Sequence, residues 1–167
     1  MLVLETERLL LRPFTPDDAP FVLTLLNEPS FLRFIGDKKV RNLEDARQYL
    51  LNGPIASYER YGFGLLLVEL KDTNTPAGMC GLLKREELPD PDIGFAFVPA
   101  YWRQGFAFEA AIAVMNDARE RLKLSRILAI VNHDNDSSIK LLEKLGLKFE
   151  RIKGDVKLYA LPNQPVE

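Results

Sequence analysis

The stretch from Asp92 to Val131 limits the fold more than any other part of the chain. Asp92 to Val98 is an apolar run that stops at Pro99, so it reads as a strand. Phe106 to Leu122 then carries Ala107, Ala110, Ala111, Val114, Ala118 and Leu122 at helical spacing, the longest such pattern in the sequence. Arg126 to Val131 has the composition of a buried strand. A strand, a helix and a second strand in this order favour parallel pairing of the strands, with the helix packed across them.

The other segments surround this unit. Arg8 to Phe14 reads as a strand bounded by Pro13, and Thr15-Pro16-Asp17-Asp18 opens a helix through a cap residue, a first-turn proline and acids at the positive end of the dipole. Pro29 to Val40 shows no period. A second helix is expected from Asn42 or Leu43 to about Tyr58, broken or restarted at Gly53-Pro54. Phe63 to Leu70 and Pro76 to Leu83 form a hairpin around Lys71-Asp72-Thr73-Asn74-Thr75. A helix capped by Asp136 or Ser137 ends at Gly146, and the strands Leu147 to Arg151 and Val156 to Leu161 follow. The expected architecture is α/β (α+β): a mixed sheet of about seven strands with about four helices, parallel around the long helix and antiparallel before it.

Composition narrows the function. The 167 residues are 47% apolar, which fits one globular domain over 1–167. A net charge of −2 argues against general nucleic-acid or anionic-membrane binding, because both work through basic fields. With Cys80 the one cysteine and His133 the one histidine, no intramolecular disulfide can form and a zinc cluster lacks ligands. Acidic residues interrupt the N-terminus after three apolar ones, so no signal peptide is expected, and no apolar run reaches membrane-spanning length. A cytoplasmic protein is the expectation.

The chemistry concentrates where the strand Asp92–Val98 turns into the long helix through Arg103-Gln104-Gly105-Phe106-Ala107. Unbonded N–H groups converge at a helix start, and Gly105 permits close backbone approach, so the turn suits a pyrophosphate. The dipole contributes about 0.3–1 kcal/mol to an exposed anion and up to about 2 when partly buried. An ordinary strand–turn–helix is the plainer reading of the same residues. Neither a GxGxxG nor a Walker lysine pattern is present.

Three segments carry a family resemblance. Val98-Pro99-Ala100-Tyr101-Trp102-Arg103-Gln104-Gly105-Phe106-Ala107-Phe108-Glu109-Ala110 resembles the acetyl-CoA loop of the GNAT acetyltransferases, and Trp102 stands where the ribosomal-protein acetyltransferase branch has tryptophan. Asn132 to Leu147 resembles the family's Asn-x-x-Ser-x-x-Leu-x-x-Lys-x-Gly-Phe segment, and Glu5-Thr6-Glu7-Arg8-Leu9-Leu10-Leu11-Arg12 matches the same branch. The resemblance implies a GNAT fold whose sheet splays between the strand ending at Val98 and the strand Arg126–Val131. It also implies direct acetyl transfer from acetyl-CoA, as co-substrate, to a primary amine. A protein or peptide N-terminal α-amine is one acceptor; a small-molecule amine is the alternative, and a non-catalytic acyl-CoA-binding module is the second class. The chain would act as a monomer or homodimer.

Residue roles follow from the same resemblance. Arg103, Gln104, Gly105, Phe106 and Ala107 would hold the pyrophosphate, and the backbone of Phe97 and Val98 the pantetheine arm, with the Val98 N–H as oxyanion donor. Asn135 would contact pantetheine and Ser138 would lie near the sulfur as a proton donor; helix capping explains both equally simply. Asp92 is the candidate general base, probed against a solvated turn carboxylate in Asp90-Pro91-Asp92. Leu142 stands where many relatives carry a tyrosine acid. Glu109 is expected to face away from the phosphate, Lys140 and Lys144 to form a solvated face or meet the 3′-phosphate, Trp102 to pack under the loop, and Cys80 to be a buried strand residue. Phe31, Phe34, Tyr58 and Tyr61 are candidates for an acceptor pocket or for core.

Overall fold

A computed structural model of the chain describes residues 3–162, so the expected domain limits at 1 and 167 lie outside the described residues. The strands are β1 (Leu4–Glu5), β2 (Leu9–Pro13), β3 (Leu65–Leu70), β4 (Thr75–Leu83), β5 (Asp92–Phe97), β6 (Ile127–Asn132), β7 (Lys148–Lys153) and β8 (Val156–Leu161). The helices are α1 (Ala19–Leu26), α2 (Pro29–Phe34), α3 (Leu43–Leu50), α4 (Ala56–Tyr61), α5 (Phe106–Glu120) and α6 (Asp136–Lys144). One eight-stranded sheet runs in the order β1-β2-β3-β4-β5-β6-β8-β7. Every neighbour pair is antiparallel except β5 and β6.

That exception makes the site. β5 and β6 pair at Asp92 and Leu128, where the Leu128 N–H donates to the Pro91 carbonyl at 2.9 Å, and they diverge beyond it. The expected splay is present between the expected strands. It opens toward the C-terminal ends of both, where α5 and α6 begin.

Alternation along the strands separates two cores. Leu66 and Val68 of β3, with Leu9 and Leu11, pack beneath Ala110, Ala111, Val114 and Ala118 of α5. Leu65 and Leu67, with Met79, pack on the opposite face against Val22, Leu25 and Leu26 of α1 and Ala46 and Leu50 of α3. Cys80 is buried in the first of these cores, and burial pushes its thiol pKa up. Among the described residues no helix is long and apolar enough to cross a membrane.

Three elements depart from expectation. Residues 29–34, expected to be irregular, form α2, with Pro29 in its first turn where a missing N–H does no harm. The expected break at Gly53-Pro54 is a π-helical turn, Leu51–Ile55, that carries α3 into α4. A widened turn accommodates the proline ring and its lost hydrogen bond without ending the helix. The short β1, at the sheet edge, was too brief for a periodic signal.

Candidate functional site

The loop after β5 is shaped by two left-handed residues. Arg103 has φ +64° and Gly105 has φ +82°, and Gly105 is the N-cap of α5. A non-glycine residue in that region carries strain that its surroundings must hold. Gly105 has no side chain to cap with, so no side chain satisfies the first-turn amides of α5. The Trp102 indole N–H donates to the Phe97 carbonyl at 2.7 Å and ties the loop to the end of β5. Its ring is 43% exposed, so it anchors the loop from outside rather than from beneath.

Behind the loop stands a clamp. Glu109 accepts from the Thr6 hydroxyl, from the Arg8 N–H at 2.9 Å and from Arg8 Nε at 2.7 Å. The Arg8 guanidinium also lies 4.3 Å from the centre of the Phe106 ring. Glu109 therefore faces the β1–β2 connection, away from the phosphate turn as expected. This contact also explains why Thr6 and Arg8 sit in one of the three resembling segments. Burial alone would raise the Glu109 pKa; the hydrogen bonds from Thr6 and Arg8 outweigh it and hold the carboxyl below its ordinary range.

A depressed carboxyl pKa contributes stability above the unfolded value near 4.5, and that contribution is lost as pH falls through the folded value. Glu109→Ala is expected to cost about 1–2 kcal/mol at pH 7. It should also weaken binding at the adjoining turn. Denaturant melts of both proteins from pH 7 to pH 3 check this, with the two curves converging at the acid end.

A cavity of about 480 Å³ lies beside the loop at the mouth of the splay. One wall is Phe95, Phe97, Tyr101 to Arg103, Gly105 to Phe108, and the α6 residues Asn135, Ser137, Ser138, Lys140, Leu141 and Lys144. Leu25, Glu28, Ser30, Phe31, Phe34 and Ile35, from α1 and α2, form the facing wall. Arg103, Lys140 and Lys144 make the first wall cationic, and Lys144 Nζ sits 4.1 Å from the centre of the Phe108 ring. Both lysines are thus part of the cavity as well as a basic helix face. Asn135 does cap α6, accepting the Ser138 N–H at 3.3 Å, yet it also lines the cavity with Ser138, whose hydroxyl has no partner among the described residues. Capping and cavity contact coexist.

Not every candidate joins the site. Gln104 points outward and donates to the Ala100 carbonyl at 3.2 Å. The Val98 N–H donates to the Ala77 carbonyl at 3.0 Å, so its expected role as oxyanion donor is corrected. Alternation along an antiparallel ladder then turns the amides of Phe95 and Phe97 away from β4, toward the gap beside β6. Those two residues, one register step from the expected one, face the cavity. The Phe97 carbonyl is already shared with Trp102.

Asp92 is corrected as well. It is 1% exposed, sits at the closed end of the splay and accepts from Arg85 Nε at 3.0 Å. Burial raises its pKa, and the Arg85 charge and hydrogen bond only partly offset that. The direction suits a base, but Asp92 is neither a solvated turn residue nor part of the cavity wall. Asp92 is therefore not placed to take a proton from an amine in the cavity. Leu142 is buried in the core, so α6 supplies no acid at that position. Phe31 and Phe34 line the cavity; Tyr58 instead accepts the Phe14 N–H at 3.0 Å and donates to the Leu65 carbonyl, and Tyr61 stacks on Phe63 outside it.

The family model described as an acetyltransferase (GNAT) domain matches residues 8–148, which include the loop, the splay and both cavity walls. The chain belongs to the GNAT acetyltransferase family. It is an acetyl-CoA-dependent N-acetyltransferase. The uncharacterized N-acetyltransferase YoaA of Bacillus subtilis is 30% identical over 151 residues, covering 90% of this chain and 85% of YoaA. An acetyltransferase from Agrobacterium tumefaciens superposes with a TM-score of 0.84 at 24% identity, covering 96% of this chain and 94% of that one. RimL, a ribosomal L7/L12 alpha-N-protein acetyltransferase solved with coenzyme A, gives 0.80 at 20% identity, covering 95% of this chain and 97% of RimL.

The residues of this GNAT enzyme fit acetyl-CoA as co-substrate. Uncapped amides at Gly105–Ala107 and the Arg103, Lys140 and Lys144 charges suit its phosphates. The apolar groove past Phe97, Tyr101 and Phe106, with Asn135 at its side, suits the pantetheine chain. Reading the sequence missed Glu28, Tyr101 and Phe108 as lining residues. Phe108 and Tyr101 lay within the resembling loop segment, whereas Glu28 had no motif to mark it.

Proposed function

We propose that this enzyme transfers acetyl from acetyl-CoA to the α-amine at a protein or peptide N-terminus. The observation that carries the reading is the two-walled cavity: a cationic wall for the donor and a largely apolar wall from α1 and α2 for the acceptor. Structural likeness to RimL, named for N-terminal α-amine acetylation, supports the same acceptor class. An α-amine has a pKa of roughly 7.7–8.0, so it loses its proton near neutrality with little assistance. That agrees with a cavity from which Asp92, the one deeply buried carboxylate among the described residues, is held away. Ser138, with its hydroxyl on the wall, relays to the departing thiolate the proton that the attacking nitrogen gives up, so the hydroxyl ends unchanged in this reading.

The test is calorimetric binding of acetyl-CoA, then thiol release across peptides and small amines. Release with peptides sustains the proposal. Release with small amines alone moves the acceptor class, and binding without release for any amine overturns transfer itself.

A further inference from the structure

We infer that Glu28 is the residue that captures the acceptor, and that this acceptor is an α-ammonium whose own side chain is apolar. The inference rests on the acetyl-transfer reading above and narrows its substrate.

Three observations converge. Among the residues lining the cavity, Glu28 is the one carboxylate, and it faces a wall that carries Arg103, Lys140 and Lys144. The cavity is therefore polarised across its width. A negatively charged donor is drawn to the cationic wall, and a cation to the carboxylate opposite.

Glu28 is also fixed yet unspent. Its N–H donates to the Leu25 carbonyl at 3.2 Å and its carbonyl accepts from Leu32 at 3.0 Å, so the backbone is pinned at the α1–α2 junction. Next to it, Asn27 Nδ2 donates to the Leu23 and Val40 carbonyls, both at 2.8 Å, and locks the following loop. Glu28 is the N-cap residue of α2, yet its half-buried side chain makes no capping bond and no other hydrogen bond or ion pair among the described residues. A carboxylate held in a rigid frame beside a cavity, without a partner, is arranged for a cation from outside.

What surrounds Glu28 is apolar. Leu25, Phe31, Phe34 and Ile35 line the same wall, and Ile35 stays 46% exposed. A second charge on the acceptor close to its nitrogen would lie against these apolar side chains with no counter-ion on the same wall, which disfavours it. An α-ammonium beside an aliphatic or aromatic side chain places its charge on Glu28 as it arrives and its side chain on the phenylalanines, and its proton passes to solvent before the free amine attacks the thioester.

Steady-state kinetics on Glu28→Gln test this, using peptides beginning with Leu, Phe, Gly, Lys and Asp, and leucinamide as the free small-molecule form. The expected result is a fall of about tenfold to a hundredfold in kcat/KM for the Leu peptide, seen mainly in acceptor KM. Acetyl-CoA affinity and thermal midpoint should each move far less than acceptor KM, because the side chain makes no hydrogen bond in the fold and stands on the wall opposite the cations. Wild type should prefer Leu or Phe over Gly, Lys or Asp by at least about tenfold. Preference for the Leu peptide over leucinamide supports a peptide source, and equal rates support a free amine of the same chemistry. Unchanged acceptor kinetics in Glu28→Gln overturn the capture role, and equal turnover of Lys- or Asp-initiated peptides overturns the apolar requirement. Acetyl-CoA binding by wild type with no release for any amine brings down the transfer reading and this inference together. That outcome is visible before any variant is compared.

Discussion

Arg85→Met lowers stability at pH 7 by about 3 kcal/mol, and most of that loss disappears as pH falls toward 4. Asp92 is almost fully buried and Arg85 is its ion-pair partner at 3.0 Å. Removing the guanidinium leaves an ionised carboxylate in a site that already disfavours it. The sign of the pH effect follows from the direction of the shift. Burial raises the Asp92 pKa above its ordinary 3.8, so the folded chain holds its proton to higher pH than the unfolded chain does. Stability contributed by this group therefore falls as pH rises from about 3.8 through the folded value. Losing Arg85 pushes the folded value further up and steepens that fall. Below 3.8 the carboxyl is neutral in both states and the variants differ only in packing. Urea melts at half-unit pH intervals measure the effect. A second variant, Arg85→Met with Asp92→Leu, should recover most of the loss at pH 7, because an apolar pair leaves no charge unmatched.

Gly78→Ala damages fold and site together. A Cβ on Gly78 would lie 2.4 Å from the Ala96 carbonyl oxygen and 2.7 Å from two carbons of the Phe97 ring. Backbone stands on one side of it and a buried ring on the other, so the end of β5 must move. Overpacking of this kind costs about 1–3 kcal/mol, and a backbone obstacle puts it at the upper end. The moved residues include Phe97 and the strand that turns Phe95 toward the gap, so acetyl-CoA affinity should drop by at least about tenfold. Gly53→Ala is the control. A Cβ there meets nothing within 4 Å, and stability should hold or rise by about 0.5–1 kcal/mol through a stiffer unfolded chain. Equal effects at the two glycines would remove the steric explanation.

How far the sequence revealed this molecule depends on range. Features set by neighbours along the chain were legible: the period of α5, the turn at Gly105 and the strands on either side of the splay, while the cap of α6 falls at Asn135, just before the expected Asp136 or Ser137. The phase of a strand is different. Which amides of β5 face β6 depends on the register with β4, and a shift of one residue exchanges Val98 for Phe97. Contacts between distant segments were also out of reach. Glu109 meets Thr6 and Arg8 across about a hundred residues, and Arg85 finds Asp92 only once β4 and β5 have paired. Glu28 illustrates the limit most clearly. In sequence it is one of 24 acidic residues; only the position of α2 beside the splay sets it on the cavity wall.

The two walls of the cavity come from separate stretches of chain. Residues 25–35 build one, while residues 95–108 and 135–144 build the other. In the proposed reading, acceptor preference and donor use are therefore written in different places along the chain. If the proposed acceptor wall is right, a graft of residues 25–35 from a relative is expected to move amine preference while coenzyme A affinity holds, which binding and thiol-release assays on the chimera measure.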